Sequence, residues 1–267
     1  MLTVGAACVA AAGVCAAPHA LAAVAGNIVD LQLVLAVDVS GSMDVNEQRV
    51  QREGYVKAFR HPEVLKAITT GPYGKVAVTY VEWSSAFYQL TVLPWRVIGD
   101  EEDALAFAND LERAPISREG RTSISGALYY AAGAFPISGV DSERRTIDVS
   151  GDGANNDGSP VTGARDQIVR QGITINGLPI LINPSPMVGG ITLDDYYHDC
   201  VIGGPGAFML SVTDQSQFES AIRRKLVLEI ASNASTASPA VVPVQFQLTP
   251  GVDCLAGEKS RAAGLTP

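Results

Sequence analysis

Three oxygen-bearing side chains lie at alternate positions of one short segment: Asp38, Ser40 and Ser42. The segment follows an apolar run over 31–37, and Gly41 lets the backbone turn tightly between the two serines. One carboxylate and two hydroxyls are hard oxygen donors, which suit Mg²⁺ far better than Zn²⁺. Because two hydroxyls leave such an ion under-neutralised, the pattern predicts a cation that still attracts an acidic oxygen from another molecule.

The same residue types also cap helices, since Asp and Ser side chains accept hydrogen bonds from the free N–H groups at a helix N-terminus. The segment alone therefore leaves metal binding and capping open. Two later motifs bear on the choice. Thr122 opens the helix-like stretch 122–128, and Asp152 follows the apolar-leaning run 146–149. Both motifs place further oxygen donors beside predicted strands and helices.

An Asp-x-Ser-x-Ser motif after a hydrophobic strand, followed in order by Gly-x-Thr-x-Ile and Asp-Gly, resembles the metal-ion-dependent adhesion site (MIDAS) of von Willebrand factor A (vWA) domains. The resemblance covers about residues 27–232, and the secreted bacterial branch of the family is the most similar. It implies a Mg²⁺ ion, or Mn²⁺, with an open position for a Glu or Asp carboxylate of a protein partner. The implied ligands are Asp38, Ser40, Ser42, Thr122 and Asp152.

One position departs from the family pattern. Gly151 stands where the family usually has Thr or Ser, and Asp148, inside the predicted strand, is the local alternative to Asp152. A second group of possible ligands lies within 194–200, but a polar surface loop explains it without a metal. The polar segment 152–158 does not match an EF-hand loop and predicts a turn instead.

The chain has 267 residues, of which 47% are hydrophobic and 18% charged, a composition typical of one globular domain with tails. The net charge of −9 and the pI near 4.8 argue against nucleic acid as a partner, since binding there requires a basic surface. The same charge disfavours anionic membranes. After the N-terminus, no apolar run reaches the roughly 20 residues that a spanning helix needs.

Residues 1–25 contain no Asp, Glu, Lys or Arg, are rich in alanine, and carry small-x-small patterns at 20–22 and 23–25. They predict a secretory signal peptide, with a misassigned start codon or a buried N-terminal helix as alternatives. Its removal leaves Cys200 and Cys254, for which a disulfide in an oxidising compartment is the simplest use and two free thiols are the alternative. We therefore expect a periplasmic or secreted bacterial protein.

Apolar strand-like runs alternate with amphipathic helix-like runs, which predicts an α/β fold with a doubly wound, mostly parallel central sheet and helices on both faces, as in vWA and Rossmann-like folds. The short connection 84–86 predicts an antiparallel hairpin at one sheet edge. The predicted strands cover 31–37, 75–83, 87–93, 146–149, 173–181 and 207–212. The predicted helices cover 44–59, 101–112, 123–135, 160–171 and 215–230.

All three motifs fall on the side of the sheet where its strands end, which is where open α/β sheets bind ligands. We expect the domain to cover residues 27–232, followed by a linker and C-terminal tail over 233–267. The long connection 183–206 is the natural place for partner specificity. Tyr196 and Tyr197 in it are either exposed anchors of an interface or residues that pack the connection onto the domain.

Familiar catalytic motifs are missing from the sequence, which has no Gly-x-Ser-x-Gly elbow, phosphate-binding loop or dinucleotide fingerprint. No general base is evident beside the predicted ion. The sequence therefore predicts an exported, metal-dependent module of the adhesion type that binds a protein, and not an enzyme. A metal-dependent hydrolase and a structural vWA domain with a vestigial site are the alternatives.

Overall fold

Five strands form one sheet through the middle of the molecule. The computed structural model describes residues 27–184, 187–231 and 251–265. Its strands are β1 (Gln32–Asp38), β2 (Val76–Trp83), β3 (Gln89–Ile98), β4 (Arg145–Gly151) and β5 (Ile173–Pro179). They lie in the order β3-β2-β1-β4-β5. All neighbouring pairs are parallel except β2 and β3, which pair antiparallel at one edge.

The predicted signal peptide, residues 1–25, and residues 233–250 of the predicted linker lie outside the described residues. Within the described ranges, none of the helices combines the length and the apolar character that a membrane span requires.

Helices cover both faces of the sheet. The first, α1 (Val45–Phe59), begins at a capping box in which Asp44 accepts from the N–H of Glu47 while the Glu47 side chain accepts from the N–H of Asp44. The other helices are α2 (Pro62–Thr70), α3 (Glu101–Arg113), α4 (Ile124–Ala134), α5 (Val161–Val169), α6 (Leu193–Tyr196), α7 (Phe218–Ala231) and α8 (Ala256–Ala262).

Alternate residues of β1 enter two separate apolar cores, because side chains of a strand point to opposite faces in turn. Leu33 and Leu35 pack with residues of α1, α3 and α7, whereas Val34 and Ala36 pack with residues of α4 and α5. All β1 residues are buried, as expected for the central strand of a parallel sheet. With both faces covered, the edge where the strands end is the surface left for a site.

The predicted α/β fold is confirmed, with a mostly parallel sheet, one antiparallel edge strand and helices on both faces. The predicted sixth strand over 207–212 is wrong, because this segment makes only isolated bridges to β5 and its extension. Part of its backbone bonds to a side chain instead, since the N–H of Phe208 donates to Asn176 Oδ1 over 3.1 Å. A side-chain acceptor therefore replaces part of the strand ladder.

Three helices, α2, α6 and α8, are additional to those that the sequence predicts. The connection 183–206, expected to be a loop, contains α6 followed directly by a π-helical turn, Tyr197–Val201. α8 lies in the predicted tail, so part of that tail is ordered against the domain.

Candidate metal centre

The carboxyl ends of β1 and β4 lie side by side, because these two strands pair directly and run parallel. Asp38 is the last residue of β1, and Asp152 comes directly after Gly151, the last residue of β4. The turn after β1 carries Ser40 and Ser42. Strand pairing alone therefore brings two of the three predicted motifs together.

A chain of short hydrogen bonds joins the side chains at this edge. The N–H of Ser40 donates to Asp38 Oδ1 over 2.7 Å, and the hydroxyls of Ser40 and Ser42 lie 2.9 Å apart. Ser42 Oγ donates to Asp152 Oδ1 over 2.6 Å. Both aspartates and both serines of the predicted set therefore form one connected cluster.

Thr122 is held next to this cluster by the loop that follows Asp152. Its N–H donates to Asn156 Oδ1 over 3.0 Å, and the N–H of Asn156 donates to the carbonyl of Thr122 over 2.8 Å. The residues before Thr122 pack on the serine turn, since a Cβ at Gly41 would lie 3.4 Å from the carbonyl oxygen of Glu119. Thr122 thus lies on a loop that contacts both the serine turn and the loop after Asp152.

The cluster is almost closed to solvent. Asp38 and Ser40 are fully buried, Asp152 and Thr122 are 2% and 3% exposed, and Ser42 is half-buried. The Oδ2 atoms of Asp38 and Asp152 have no hydrogen-bond partner in the described part of the chain. Burial, and then the charge of Asp152, raises the pKa of Asp38 well above its usual value. Burial also raises the pKa of Asp152, to about 6.

These features fit a divalent cation. Two neighbouring buried carboxylates repel each other, and buried oxygens without partners cost free energy unless something compensates them. A cation between them relieves both costs, because its charge favours the ionised form of each carboxyl group. Carboxylate and hydroxyl oxygens are also the ligands that Mg²⁺ and Mn²⁺ prefer. The cluster opens towards solvent at Ser42, which is only half-buried.

Asp148, the local alternative to Asp152, is engaged elsewhere. Its Oδ1 lies 2.6 Å from Lys225 Nζ, which also pairs with Glu229, and all three side chains are buried beneath the sheet against α7. Burial, and then the charge of Asp148, raises the pKa of Glu229 to about 7. Asp148 is therefore paired with a lysine, whereas Asp152 contacts Ser42 and belongs to the cluster at the sheet edge.

The acidic stretch 194–200 makes local contacts instead of a second cluster. Asp194 accepts from Ser211 Oγ over 2.5 Å, and Asp199 lies 2.7 Å from His198 Nδ1. Across the ranges that the structure describes, no group of three or more His, Cys, Asp or Glu side chains is placed to hold a metal. The cluster around Asp38 differs from such a group, because it has two carboxylates and its other oxygen donors are hydroxyls.

Tyr196 and Tyr197 approach this cluster from inside the domain. Both are fully buried, so the interpretation that they are exposed interface anchors is wrong. Tyr196 Oη accepts from the N–H of Asn155 over 3.2 Å. A Cβ at Gly151 would lie 2.7 Å from Asp38 Oδ2 and 3.0 Å from Tyr197 Oη. The glycine at this position therefore has a steric reason, because Asp38 and Tyr197 occupy the space around it.

The predicted disulfide is confirmed, since Cys200 and Cys254 are bonded with their Cα atoms 5.5 Å apart. Cys200 lies in the π-helical turn, and Cys254 belongs to residues 251–265, which we call the C-terminal strap. The strap includes α8. The bond therefore fixes the strap to the turn that begins with Tyr197 and directly follows Tyr196, the last residue of α6.

α8 packs on the loop that follows Asp152. Asn155 Nδ2 donates to Glu258 Oε1 over 2.8 Å, and Arg261 Nη1 donates to the carbonyl of Asn156 over 2.9 Å. A Cβ at Gly257 would lie 2.1 Å from the carbonyl oxygen of Asn155, which only glycine permits. The strap and this loop therefore form one packed unit beside the cluster.

Sequence reasoning missed Asn155 and Asn156, which connect the strap to the second motif. Asn155 Oδ1 accepts from the N–H of Ser125 over 3.0 Å, just as Asn156 accepts from Thr122. In the sequence they appear as two adjacent amide residues soon after the Asp-Gly pair, within the segment that we predicted to be a turn. The strap could be recognised in the sequence only by its cysteine.

Solved structures with this architecture define the class of fold. Proximal thread matrix protein 1 from the mussel byssus has a TM-score of 0.57 at 14% identity, over 77% of this chain and 49% of that chain. The pilus adhesin SpaC from Lactobacillus rhamnosus GG has a TM-score of 0.56 at 15% identity, over 76% and 31%. A von Willebrand factor type A protein from Catenulispora acidiphila has 0.53 at 13%, over 76% and 43%. The fold is therefore a vWA fold, and the chain spans less than half of each of these proteins.

The chain belongs to the family described as protein of unknown function (DUF1194), whose model matches residues 28–234. Among curated proteins, none is significantly similar to it in sequence. One structure of the mussel protein, with a TM-score of 0.53 at 13% identity, has a zinc-occupied MIDAS motif. At these identities the likenesses establish the fold alone.

Proposed function

We propose that this chain is an exported module of the adhesion type, not an enzyme, that binds a protein partner through a Mg²⁺ or Mn²⁺ ion. The observation that carries the proposal is the pair of buried Oδ2 atoms of Asp38 and Asp152, which have no partner among the described residues and lie beside a serine hydroxyl pair. The zinc-occupied motif of the mussel protein supports a divalent ion at this place in the fold. The proposed ligands are Asp38, Ser40, Ser42, Thr122 and Asp152.

The resemblance to vWA domains divides the ligands into two kinds. By that resemblance, the serine and threonine hydroxyls would contact the ion directly, and at least one aspartate would act through water. A divalent ion bound there supplies a position that accepts an acidic oxygen. The half-buried Ser42 lies where the cluster opens to solvent, so a Glu or Asp carboxylate of the partner approaches at that point.

Binding is favoured over catalysis by the placement of the two histidines in the described part of the chain. His61 caps α2, with Nδ1 accepting from the N–H of Glu63, and His198 pairs with Asp199. Neither contacts the cluster, so a metal-dependent hydrolase would lack a histidine base there. The names of two structural neighbours, a pilus adhesin and a byssus matrix protein, agree with a binding or structural role.

Export is supported by the disulfide, because such bonds persist in oxidising compartments such as the bacterial periplasm. The predicted signal peptide over 1–25 points to the same destination. The net charge of −9 supports a protein partner over nucleic acid.

Thermal unfolding with and without Mg²⁺ or Mn²⁺ tests the proposal. An ion that binds only the folded state stabilises it by about 2.7 kcal/mol at 100 times its Kd. We expect millimolar Mg²⁺ to raise the Tm of the wild type and to leave the Tm of Asp38→Ala unchanged. Asp199→Ala, an exposed aspartate paired with His198, is the matched control and should respond like the wild type.

Partner binding is tested with immobilised protein and cell-envelope extract. A specific protein should bind with Mg²⁺, elute with chelator, and be lost with Thr122→Ala although that variant keeps its fold. A wild type that ignores millimolar Mg²⁺ and Mn²⁺ would support a vestigial site instead. Metal-dependent turnover of phosphoesters or peptides that disappears with Asp38→Ala would support a hydrolase.

A further inference from the structure

The space around Gly151 contains two buried oxygens that lack partners. Within the described residues, neither Asp38 Oδ2 nor Tyr197 Oη makes a hydrogen bond. Both approach the point where a side chain at position 151 would begin, at 2.7 Å and 3.0 Å. A carboxylate oxygen and a phenol hydroxyl are complementary, since one accepts and the other donates.

We propose that Tyr197 is the positioning residue of the metal centre: when an ion is bound, its hydroxyl donates to Asp38 Oδ2 and holds the carboxylate in the orientation that the ion requires, and Gly151 leaves the space for both side chains. The inference rests on the proposed metal binding. Asp38 Oδ1 already accepts from the N–H of Ser40 over 2.7 Å, so Oδ2 is the oxygen left for Tyr197. A hydrogen bond from Tyr197 to that oxygen would stop the carboxylate from rotating away from the cluster.

Two glycines form a slot for the tyrosine on neighbouring strands. Gly151 ends β4, and Gly177 lies in β5, which pairs with β4. A Cβ at Gly177 would lie 2.8 Å from Cδ1 of the Tyr197 ring. One glycine thus makes room for the ring and the other for the hydroxyl, so a side chain at either position would displace Tyr197.

The main chain around Tyr197 is fixed as well. The residue begins the π-helical turn Tyr197–Val201, and such turns are frequent at functional sites. Within that turn Cys200 is bonded to Cys254 of the strap. The N–H of Ile202 donates to the carbonyl of Tyr197 over 2.9 Å. A tyrosine anchored in this way suits a role as a fixed donor behind a metal ligand, because outer-shell hydrogen bonds orient the ligands they contact.

A second buried tyrosine provides the matched control. Tyr55 is also fully buried, but its ring packs edge-on against Tyr80 at 5.6 Å, and its hydroxyl lies near Asp148 and Glu229. Replacing either tyrosine with phenylalanine removes one buried oxygen and keeps the ring. Only Tyr197→Phe removes an oxygen from the neighbourhood of Asp38.

Calorimetric Mn²⁺ titration of wild type, Tyr197→Phe and Tyr55→Phe tests the inference, with urea unfolding of the metal-free proteins in parallel. Tyr197→Phe should weaken Mn²⁺ binding about 10-fold or more, the usual effect of losing an outer-shell hydrogen bond. Tyr55→Phe should stay within about twofold of the wild type. The two metal-free variants should unfold at similar urea concentrations, which separates a metal-specific effect from a general loss of stability.

A double-mutant cycle that combines Tyr197→Phe with Gly151→Ala is a second test of the inference. The new methyl group would displace Asp38 from the same position, so its effect on Mn²⁺ affinity should not add to that of Tyr197→Phe. Additive losses, or wild-type affinity in Tyr197→Phe, would overturn the role of Tyr197 and leave the metal site standing. A wild type that does not bind Mn²⁺ would overturn the proposed function and this inference with it.

Discussion

Reduction of the Cys200–Cys254 disulfide should both destabilise the domain and weaken metal binding at the proposed site. The bond joins residues 54 positions apart. In the chain-entropy model, a cross-link of that span stabilises the folded state by about 4 kcal/mol, because it restricts the unfolded chain. For a domain of this size the loss corresponds to a fall in Tm of roughly 10 °C.

The effect on the site follows from the contacts of the strap. Once the bond is broken, only non-covalent contacts, such as that between Glu258 and Asn155, keep the strap on the loop beside the cluster. That loop holds Thr122 through Asn156, so loosening it disperses the proposed ligands. We expect Mn²⁺ affinity to fall on reduction even at temperatures where the domain stays folded.

Equilibrium urea unfolding and Mn²⁺ titration, each with and without dithiothreitol, measure the two effects. The variant Cys200→Ala/Cys254→Ala is the control, because it should behave like the reduced protein and ignore dithiothreitol. A reduced wild type within about 1 kcal/mol of the oxidised protein, with the same Mn²⁺ affinity, would refute the role that we assign to the strap.

Three further predictions follow from the described contacts. Gly257→Ala should release α8, because a Cβ there would lie 2.1 Å from the carbonyl oxygen of Asn155; faster proteolysis of the strap would be seen, and wild-type resistance would contradict the packing. Asn156→Ala should weaken Mn²⁺ binding, because it removes the acceptor for the N–H of Thr122; unchanged affinity by calorimetry would argue against Thr122 as a ligand. Burial raises the pKa of Glu229 from 4.5 to about 7, so the stability that it contributes is present below about pH 4.5 and is lost as the pH rises through 7. Urea unfolding between pH 5 and 8 should therefore show a steeper loss of stability in the wild type than in Glu229→Gln, and parallel profiles would refute this.

The sheet, and the clustering of the predicted ligands at its edge, could be predicted from the sequence because their signals are local. Residues 33–37 of β1 form a continuous apolar run, and Asp38, Ser40 and Ser42 follow that run within one turn. Parallel pairing of β1 and β4 then places Asp152 beside Asp38, and no long-range contact between side chains has to be predicted. Such short-range patterns predict whether a segment is a strand or a helix, and at which edge of the sheet its polar residues lie.

The remaining features depend on contacts between distant segments. The sequence around Tyr197 does not show whether this side chain is buried as a positioning residue or exposed as an interface anchor. Its burial follows from the glycine slot on β4 and β5 and from the bond to the strap. The pairing of Asp148 with Lys225, 77 positions away by their numbers, likewise depends on the docking of α7 under the sheet.

An anomalous difference map from crystals grown with Mn²⁺ would show directly whether the cluster around Asp38 binds an ion. We predict one strong peak within bonding distance of the hydroxyls of Ser40, Ser42 and Thr122, beside Asp38 and Asp152, and no peak there in crystals of Asp38→Ala. A map from well-diffracting wild-type crystals at saturating Mn²⁺ with no peak at this cluster would contradict metal binding there.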